Sequence, residues 1–213
     1  MQVSTYSLDV STRRASPVRQ TELVDAALQI IATQGIAALS TRSLATAVGL
    51  SSGAIFRHFA SLAALLDAVV ARVEVVLDQT FPPDALEPLE RLAAFIEARA
   101  SAVGGQRGIA RLMLSDQFSL ALPPGGSERL AACVRKTRGF VERCLTDAQA
   151  SGRVRRDIPV ASLAPIVMGT VQMLALAPGS PRPRERDRRA VVAGLLTLLG
   201  ALEAAPSPQR RTP

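Results

Sequence analysis

Residues 40–59, near the amino end, combine cationic, hydroxyl and very small side chains in a spacing suited to binding nucleic acid. Arg42 carries a planar guanidinium that can bind a phosphate or make two hydrogen bonds to one guanine edge. Arg57 and His58 are expected to face the flanking phosphates. A plain surface cation is the alternative for Arg42, and a capped surface histidine for His58. The other candidates can contact the DNA backbone, or are small enough to let a helix come close to a DNA groove. They are Ser40, Thr41, Ser51, Ser52, Gly53 and Ala54.

These side chains reach one face only if two short helices, joined by a tight turn, carry them. Gly49 marks the turn, because glycine takes a left-handed backbone at little cost. Ser51 or Ser52 is expected to cap the second helix through its hydroxyl. The pattern predicts a helix for a DNA major groove, although ordinary helical hairpins share it. The apolar residues expected to face inward are Leu44, Ala45, Val48, Leu50, Ile55 and Phe59.

The surroundings of this helix pair resemble the N-terminal domain of the TetR family of transcriptional regulators, from Arg19 to Val76. The matching segments are TELVDAALQIIATQG, IAALST, LATAVGLSSGAIFRHF and SLAALLDAVV, in the family's order and spacing. The resemblance implies an all-α fold, with an N-terminal three-helix helix-turn-helix domain linked by a long fourth helix to a helical ligand-binding and dimerisation domain. It also implies a homodimeric repressor released from a palindromic operator in double-stranded DNA by a small molecule. The alternative is a DNA-binding regulator or architectural protein with no small-molecule effector.

Two positions depart from the family's usual pattern. Phe56, which stays among the predicted DNA-contacting residues, stands where the family usually has a tyrosine whose hydroxyl touches phosphate. Leu62 stands where a lysine is usual, and Ala63 where an acidic residue is usual. We therefore expect weaker sequence-independent affinity and a flatter dependence on salt.

The net charge of +7 and the isoelectric point of 11.0 do not by themselves argue for DNA binding. Residues 1–80 carry six arginines and six acidic residues, whereas residues 81–213 carry nineteen basic against twelve acidic residues. Locally, Arg13, Arg14 and Arg19 form a basic arm without an acidic residue among them. We hypothesise that this arm adds phosphate or minor-groove contacts; a solvated tail is the alternative.

The chain of 213 residues, 48% hydrophobic but only 3% aromatic, is expected to form helices packed on leucine, alanine and valine. The FPPD segment at 81–84 predicts a boundary between a DNA-binding domain at 17–79 and an effector and dimerisation domain at 84–204. Residues 1–16 and 205–213 are expected to be disordered. The predicted helices span about 17–33, 41–48, 52–59, 62–79, 85–103, 106–118, 126–150, 160–177 and 184–204.

Other classes of protein find little support. The chain offers no nucleophile–base pair or paired catalytic carboxylates, so an enzyme is not expected, nor is a cofactor. His58 is the one histidine and lies far from Cys133 and Cys144, so no metal site is expected. The cysteines, eleven residues apart in one helix, are expected to be small apolar residues. Residues 158–181 are uncharged but interrupted by Pro, Gly and polar residues, which favours a buried helix over a membrane span and predicts a cytoplasmic protein.

Reading a palindrome requires two copies of the helix pair, so dimerisation is expected. Residues 160–177 and 191–202 are apolar over most of the helix circumference. The helices at 160–177 and 184–204 are therefore the predicted interface, as a four-helix bundle. An effector cavity is expected among the C-terminal helices. Arg99 and Arg138 are both expected to be exposed; if buried, either would suit an acidic ligand. Candidate effector-binding residues, for each of which core packing is the alternative, are Phe95, Arg99, Met113, Phe118, Met168, Gln172 and Met173.

Overall fold

The computed structural model describes residues 16–105, 107–113, 120–176 and 185–200. The described part is helical apart from its turns and one isolated bridge between Val154 and Gly200, so the predicted all-α class is confirmed. Ser16, expected to be disordered, begins the first helix. The rest of the predicted tails (residues 1–15 and 205–213), the arm residues Arg13 and Arg14, and the effector candidate Phe118 lie outside the described residues. The helices are α1 (Ser16–Gln34), α2 (Thr41–Val48), α3 (Ser52–Ile55), α4 (Leu62–Asp78), α5 (Pro88–Gly105), α6 (Arg107–Met113), α7 (Gly126–Ala150), α8 (Val160–Leu176) and α9 (Glu185–Leu199), with a 3₁₀ turn at Ile36–Ala38.

The described residues form two compact units. The first contains residues 16–73 together with 107–113 and 120–129, and the second contains 74–105, 130–176 and 185–200. The units therefore do not divide the chain at the FPPD segment, because α6 packs against α1. The functional division at 17–79 and 84–204 stays a prediction.

The core of the first unit follows from the apolar stripe of α1. The predicted stripe residues Leu23, Ala27, Ile30 and Ile31 are all buried, as helical spacing requires. Helix α6 approaches α1 so closely that a Cβ atom on Gly108 would lie 2.2 Å from the backbone oxygen of Leu28. Only glycine fits this contact between helices.

The second unit has its own core, where α5 packs against α8 and α9. Its buried members come from α5, α7, α8, α9 and the turn after α7. The turn is closed by Gly152, which has a φ of 74°, and by Gln149, whose amide donates to the backbone oxygens of Arg155 and Ile158 at 2.7 and 2.8 Å. Within the described ranges, no helix is long and apolar enough to cross a membrane.

Candidate functional site

The amino end of α2 is held by a reciprocal pair of serines. The Ser40 hydroxyl accepts a hydrogen bond from the backbone N–H of Ser43 at 3.1 Å, and the Ser43 hydroxyl accepts one from the N–H of Ser40 at 2.9 Å. This capping box satisfies two donors that a helix start leaves free. The role of Ser43 was not predicted, although a pair of serines three residues apart is a local signal for such a cap. Arg42 is placed by this cap and is exposed.

The turn between α2 and α3 has the geometry that Gly49 predicted. Gly49 has φ 68° and ψ 36°, in the left-handed region. The N–H of Leu50 then bonds the oxygen of Ala45 at 2.9 Å, and the N–H of Gly49 bonds that of Thr46 at 3.4 Å. These two bonds form a Schellman motif, which ends α2 and redirects the chain.

Helix α3 is shorter than predicted. Its cap is Ser51, whose hydroxyl accepts from the N–H of Ala54 at 3.2 Å. The α-helical segment ends at Ile55 rather than Phe59, because the N–H groups of Arg57 and His58 bond three residues back, at 3.2 and 2.9 Å, in a tighter turn. The predicted range Ser52–Phe59 was therefore wrong at its end.

The inward and outward faces of this segment agree with the sequence pattern. Ile55 and Phe59 are buried, whereas the Phe56 side chain is 52% exposed. No acidic residue occurs between positions 40 and 60, so nothing within the segment opposes an approaching phosphate. Contact with DNA stays a prediction for all ten residues. Seven of them are exposed, namely Ser40, Arg42, Ser51, Ser52, Gly53, Phe56 and Arg57, while Thr41, Ala54 and His58 are half-buried.

The side chain of His58 is half-buried. Its Nδ1 atom is buried and has no hydrogen-bond partner among the described residues. Its backbone oxygen accepts a hydrogen bond from the Gln20 amide on α1 at 2.9 Å. This bond connects α1 to the end of residues 40–59, the recognition segment. No sequence signal could have identified it, since the two residues are 38 positions apart.

One member of the predicted basic arm has an acidic partner. The guanidinium of Arg19 forms an ion pair with Glu22, with 2.7 Å between Nη1 and Oε2. The pairing reduces the positive charge that Arg19 offers to phosphate. The role of the arm stays a prediction.

The effector candidates that the structure describes fall in both compact units. Met113 belongs to the first unit, whereas Phe95, Arg99, Met168, Gln172 and Met173 belong to the second. Phe95 is fully buried and Met168 half-buried, while Gln172 and Met173 are exposed on α8. Their role in binding an effector stays a prediction.

The expectation that Arg99 is exposed was wrong. Its residue surface is only 5% exposed, whereas the Arg138 side chain is 56% exposed, as expected, and bonds Glu142. The Arg99 guanidinium carbon lies 5.2 Å from the ring centre of Phe81 and 5.0 Å from that of Phe95. The surrounding rings attract the cation and cover its apolar stem, which explains how arginine can occupy this place. Burial lowers the Arg99 pKa to about 10, so the side chain is charged at neutral pH.

The two cysteines have no redox geometry. Cys144 is buried and Cys133 half-buried, and neither forms a disulfide. Burial raises the pKa of both thiols above the ordinary value, which makes each a poor nucleophile. Over the parts of the chain that the structure describes, no group of three or more His, Cys, Asp or Glu residues is placed to hold a metal.

A capped helix pair with a glycine turn and an acid-free outer face, on a wholly helical scaffold, defines the helix-turn-helix class of DNA-binding proteins. Residues 23–69 match the family of bacterial regulatory proteins called the tetR family, and residues 87–197 match the C-terminal domain of SbtR-like transcriptional regulators. The chain belongs to the TetR family of DNA-binding transcriptional regulators. Members of this family are regulators and not enzymes; they bind DNA operators and form dimers.

Individual relatives agree with this assignment. The chain is 24% identical to the repressor DhaR of Mycobacterium sp. strain GP1 over 80% of this chain and 86% of that protein. Its fold resembles the ketosteroid regulator KstR2 of Mycobacterium tuberculosis, with a TM-score of 0.71, 22% identity and coverage of 86% and 96%. It also resembles AibR, solved in complex with isovaleryl coenzyme A and operator DNA, with a TM-score of 0.68, 19% identity and coverage of 85% and 98%.

Proposed function

We propose that this chain is a homodimeric repressor that binds a palindromic operator and is released from it by a small molecule held in the C-terminal part. The observation that carries the proposal is the start of α3. Caps and the Gly49 turn hold it in place, and Ser52 and Gly53 are exposed there. Small side chains at a helix start let the backbone come close to the base edges of a major groove.

Some of the DNA-contacting residues would bind phosphate and raise affinity, and others would contact bases and determine sequence specificity. Arg42 is the reader we favour, because an exposed guanidinium can donate two hydrogen bonds to guanine. Arg57 would contact phosphate, and the amino ends of α2 and α3 would present backbone N–H groups to phosphate oxygens. Phe56 is exposed enough to meet a sugar or a thymine methyl group.

Dimerisation would use an apolar face that the second unit leaves open. Ile166 and Met173 on α8 are 54% and 67% exposed, and Val191 and Leu198 on α9 are 45% and 74% exposed. Each pair is seven residues apart, so its members lie on one helix face two turns apart. The same face on a second copy would bury them around a two-fold axis, within the predicted interface of residues 160–177 and 184–204.

Binding of a small molecule is supported by AibR, a protein of similar fold that was solved in complex with isovaleryl coenzyme A and operator DNA. Release of the operator by the ligand is the further step of the proposal. A ligand acts in this way only if it prefers the state that does not bind DNA. A hundredfold preference shifts the equilibrium between the two states by about 2.7 kcal/mol.

Selection of bound DNA from a random pool tests the operator claim directly. A homodimer should recover inverted repeats whose half-sites lie about one helical turn apart. Recovery of sequences without two-fold symmetry would contradict the proposal. The dimer face is tested with Met173→Glu, which should give monomers in sedimentation and lose operator binding together. Val134→Glu is the matched control, since Val134 is also exposed, on α7, and outside the proposed face. A regulator without an effector would bind the selected operator equally well in every metabolite tested.

A further inference from the structure

The least satisfied charged group described in the second unit is the guanidinium of Arg99. Its Nε and Nη2 atoms are buried and have no hydrogen-bond partner among the described residues. A buried cation normally keeps its hydrogen bonds, because each unmade bond costs free energy that water would otherwise supply. The unpartnered guanidinium therefore points to an acceptor that the described residues do not supply.

The two unpartnered atoms are a matched pair. In arginine, the Nε–H bond and one Nη2–H bond leave the same edge of the planar group side by side. This edge is the one that receives the two oxygens of a carboxylate in a bidentate pair. A single donor would leave the acceptor undefined, whereas a free edge specifies an anion with two oxygens in one plane.

The neighbouring side chains do not fill that edge. Cys133 and then Asp78 act against the lowering of the Arg99 pKa by burial. Neither forms a hydrogen bond to its Nε or Nη2 atom, and the Oδ1 atom of the 54% exposed Asp78 is bonded to the Lys136 ammonium at 2.7 Å. Phe81 and Phe95 attract the cation but have no lone pair for its N–H groups. Lys136 itself lies 5.2 Å from the centre of the Phe81 ring. The edge of the Arg99 guanidinium that carries Nε and Nη2 therefore has no acceptor among the described residues.

We propose that this edge of Arg99 anchors the carboxylate of an organic acid, with the apolar body of the acid against the half-buried ring of Phe81. The inference rests on the proposed ligand-responsive function and names the chemical class of its effector. The rings of Phe81, Phe95 and Phe140 form one aromatic cluster, with centres 4.9 to 5.6 Å apart. A carboxylate suits the site better than a phosphate dianion, because the second nearby cation, Lys136, is already paired with Asp78.

The first test uses acetate, which needs no body of a particular shape. The side-chain Nε–H signal of Arg99 is assigned by its loss in Arg99→Lys and is then followed by nitrogen NMR during titration with acetate. Chloride at the same ionic strength is the control for screening. We expect a saturable shift of the Arg99 signal with acetate and none with chloride. A signal that responds equally to both salts, or to neither, would overturn the proposal.

The second test uses decanoate, measured by calorimetry on the full chain. Arg99→Met removes the charge, Arg99→Lys keeps the charge but loses the paired edge, and Arg138→Met removes an exposed arginine as the matched control. We expect affinity for decanoate to fall about tenfold or more in both Arg99 variants and to stay unchanged in Arg138→Met. Equal affinity in all four proteins, binding no tighter than that of acetate, or tighter binding of decyl phosphate would each contradict the assignment.

The inference and the proposed function fail in different ways. Anion binding that depends on Arg99 but leaves the complex with the selected operator intact would support the site and refute ligand-induced release. Release of the operator by a compound that binds Arg99→Met as tightly as the unchanged chain would support the function and refute the site.

Discussion

The recognition segment and the surroundings of Arg99 both present a guanidinium for binding, but they are built over different distances along the chain. Arg42 follows a cap made by Ser40 and Ser43, only three residues apart. Arg99 is surrounded by side chains from several segments, including Phe81 and, through that ring, Lys136. Arg42 is exposed and Arg99 is buried.

The difference shows two ways of keeping a cation available to a partner. An exposed arginine on a rigid, capped helix loses little backbone entropy on binding, and the bound partner fixes the position of its side chain. A buried arginine without an acceptor is unfavourable in the free protein and gains most when a matching anion arrives. Substitutions that break local structure should therefore affect DNA binding, whereas those at long-range contacts should affect stability or ligand binding.

The same substitution at two glycines gives the largest contrast. Gly108→Ala should destabilise the protein by about 3 kcal/mol, because its new methyl group would meet the backbone of Leu28 and the helices must move apart. Gly53→Ala has open space and should leave stability unchanged or raise it by about 0.5–1 kcal/mol. Urea unfolding of both variants measures the difference, and equal midpoints would show that the α1–α6 contact is not tight.

Arg42→Ala should weaken binding to the selected operator by about 1–3 kcal/mol, if the side chain makes a bidentate contact to guanine. Arg42→Lys separates charge from geometry, since it keeps the former and loses the fork. Gel-shift titrations on the operator and on scrambled DNA should show a loss confined to the operator. An equal loss on both DNAs would reassign Arg42 to phosphate.

Gly49→Ala should cost about 1–2 kcal/mol of stability, because alanine must take the left-handed backbone conformation. No atom lies within 4 Å of the added Cβ, so a clash with neighbouring residues does not contribute. Asparagine tolerates that backbone better, so Gly49→Asn is the control and should lose less. Thermal unfolding with circular dichroism measures both. Identical losses would mean that backbone conformation is not what the turn requires.

Two arginines of the second unit, the buried Arg99 and the half-buried Arg91, should respond in opposite directions to the loss of charge. Arg99→Met should leave the ligand-free protein as stable as before or more stable by about 1 kcal/mol, because the desolvation cost of an unpartnered cation disappears. Arg91→Met should lower stability by up to about 1 kcal/mol, because Arg91 forms an ion pair with the partly exposed Asp147 at 2.8 Å. Chemical denaturation without ligand measures the free energy of unfolding of both variants. A larger loss for Arg99→Met than for Arg91→Met would mean that the aromatic rings alone offset the desolvation cost of the Arg99 cation.

The smallest effects concern the two departures from the family pattern. Phe56→Tyr should strengthen DNA binding by about 0.5–1 kcal/mol through a phosphate hydrogen bond, with an unchanged salt dependence because the hydroxyl is neutral. Leu62→Lys should steepen the salt dependence by about one counterion. Fluorescence anisotropy at several salt concentrations separates the two. A steeper slope for Phe56→Tyr would contradict the neutral-contact explanation.

Much of the helical architecture was predictable because its signals are local. The range 126–150 was predicted to the residue, and the α1 stripe is buried where helical spacing places it. The end of α3 was not predictable, since Gln20 holds the His58 carbonyl from another helix and the last turn tightens. Nor was the burial of Arg99, because the residue type favours exposure and only its neighbours decide otherwise.

By itself, the sequence determined the helical class, the capped pair of short helices and the membership of a regulatory family. These depend on spacing, caps and a glycine turn within a few residues. Only the tertiary structure decided that α6 packs against α1 and that Arg99 is buried beside two aromatic rings, with no acceptor for its Nε and Nη2 atoms among the described residues. The physical reason is the range of the interactions: backbone hydrogen bonds and caps join near neighbours, whereas packing and desolvation depend on residues that folding alone brings together.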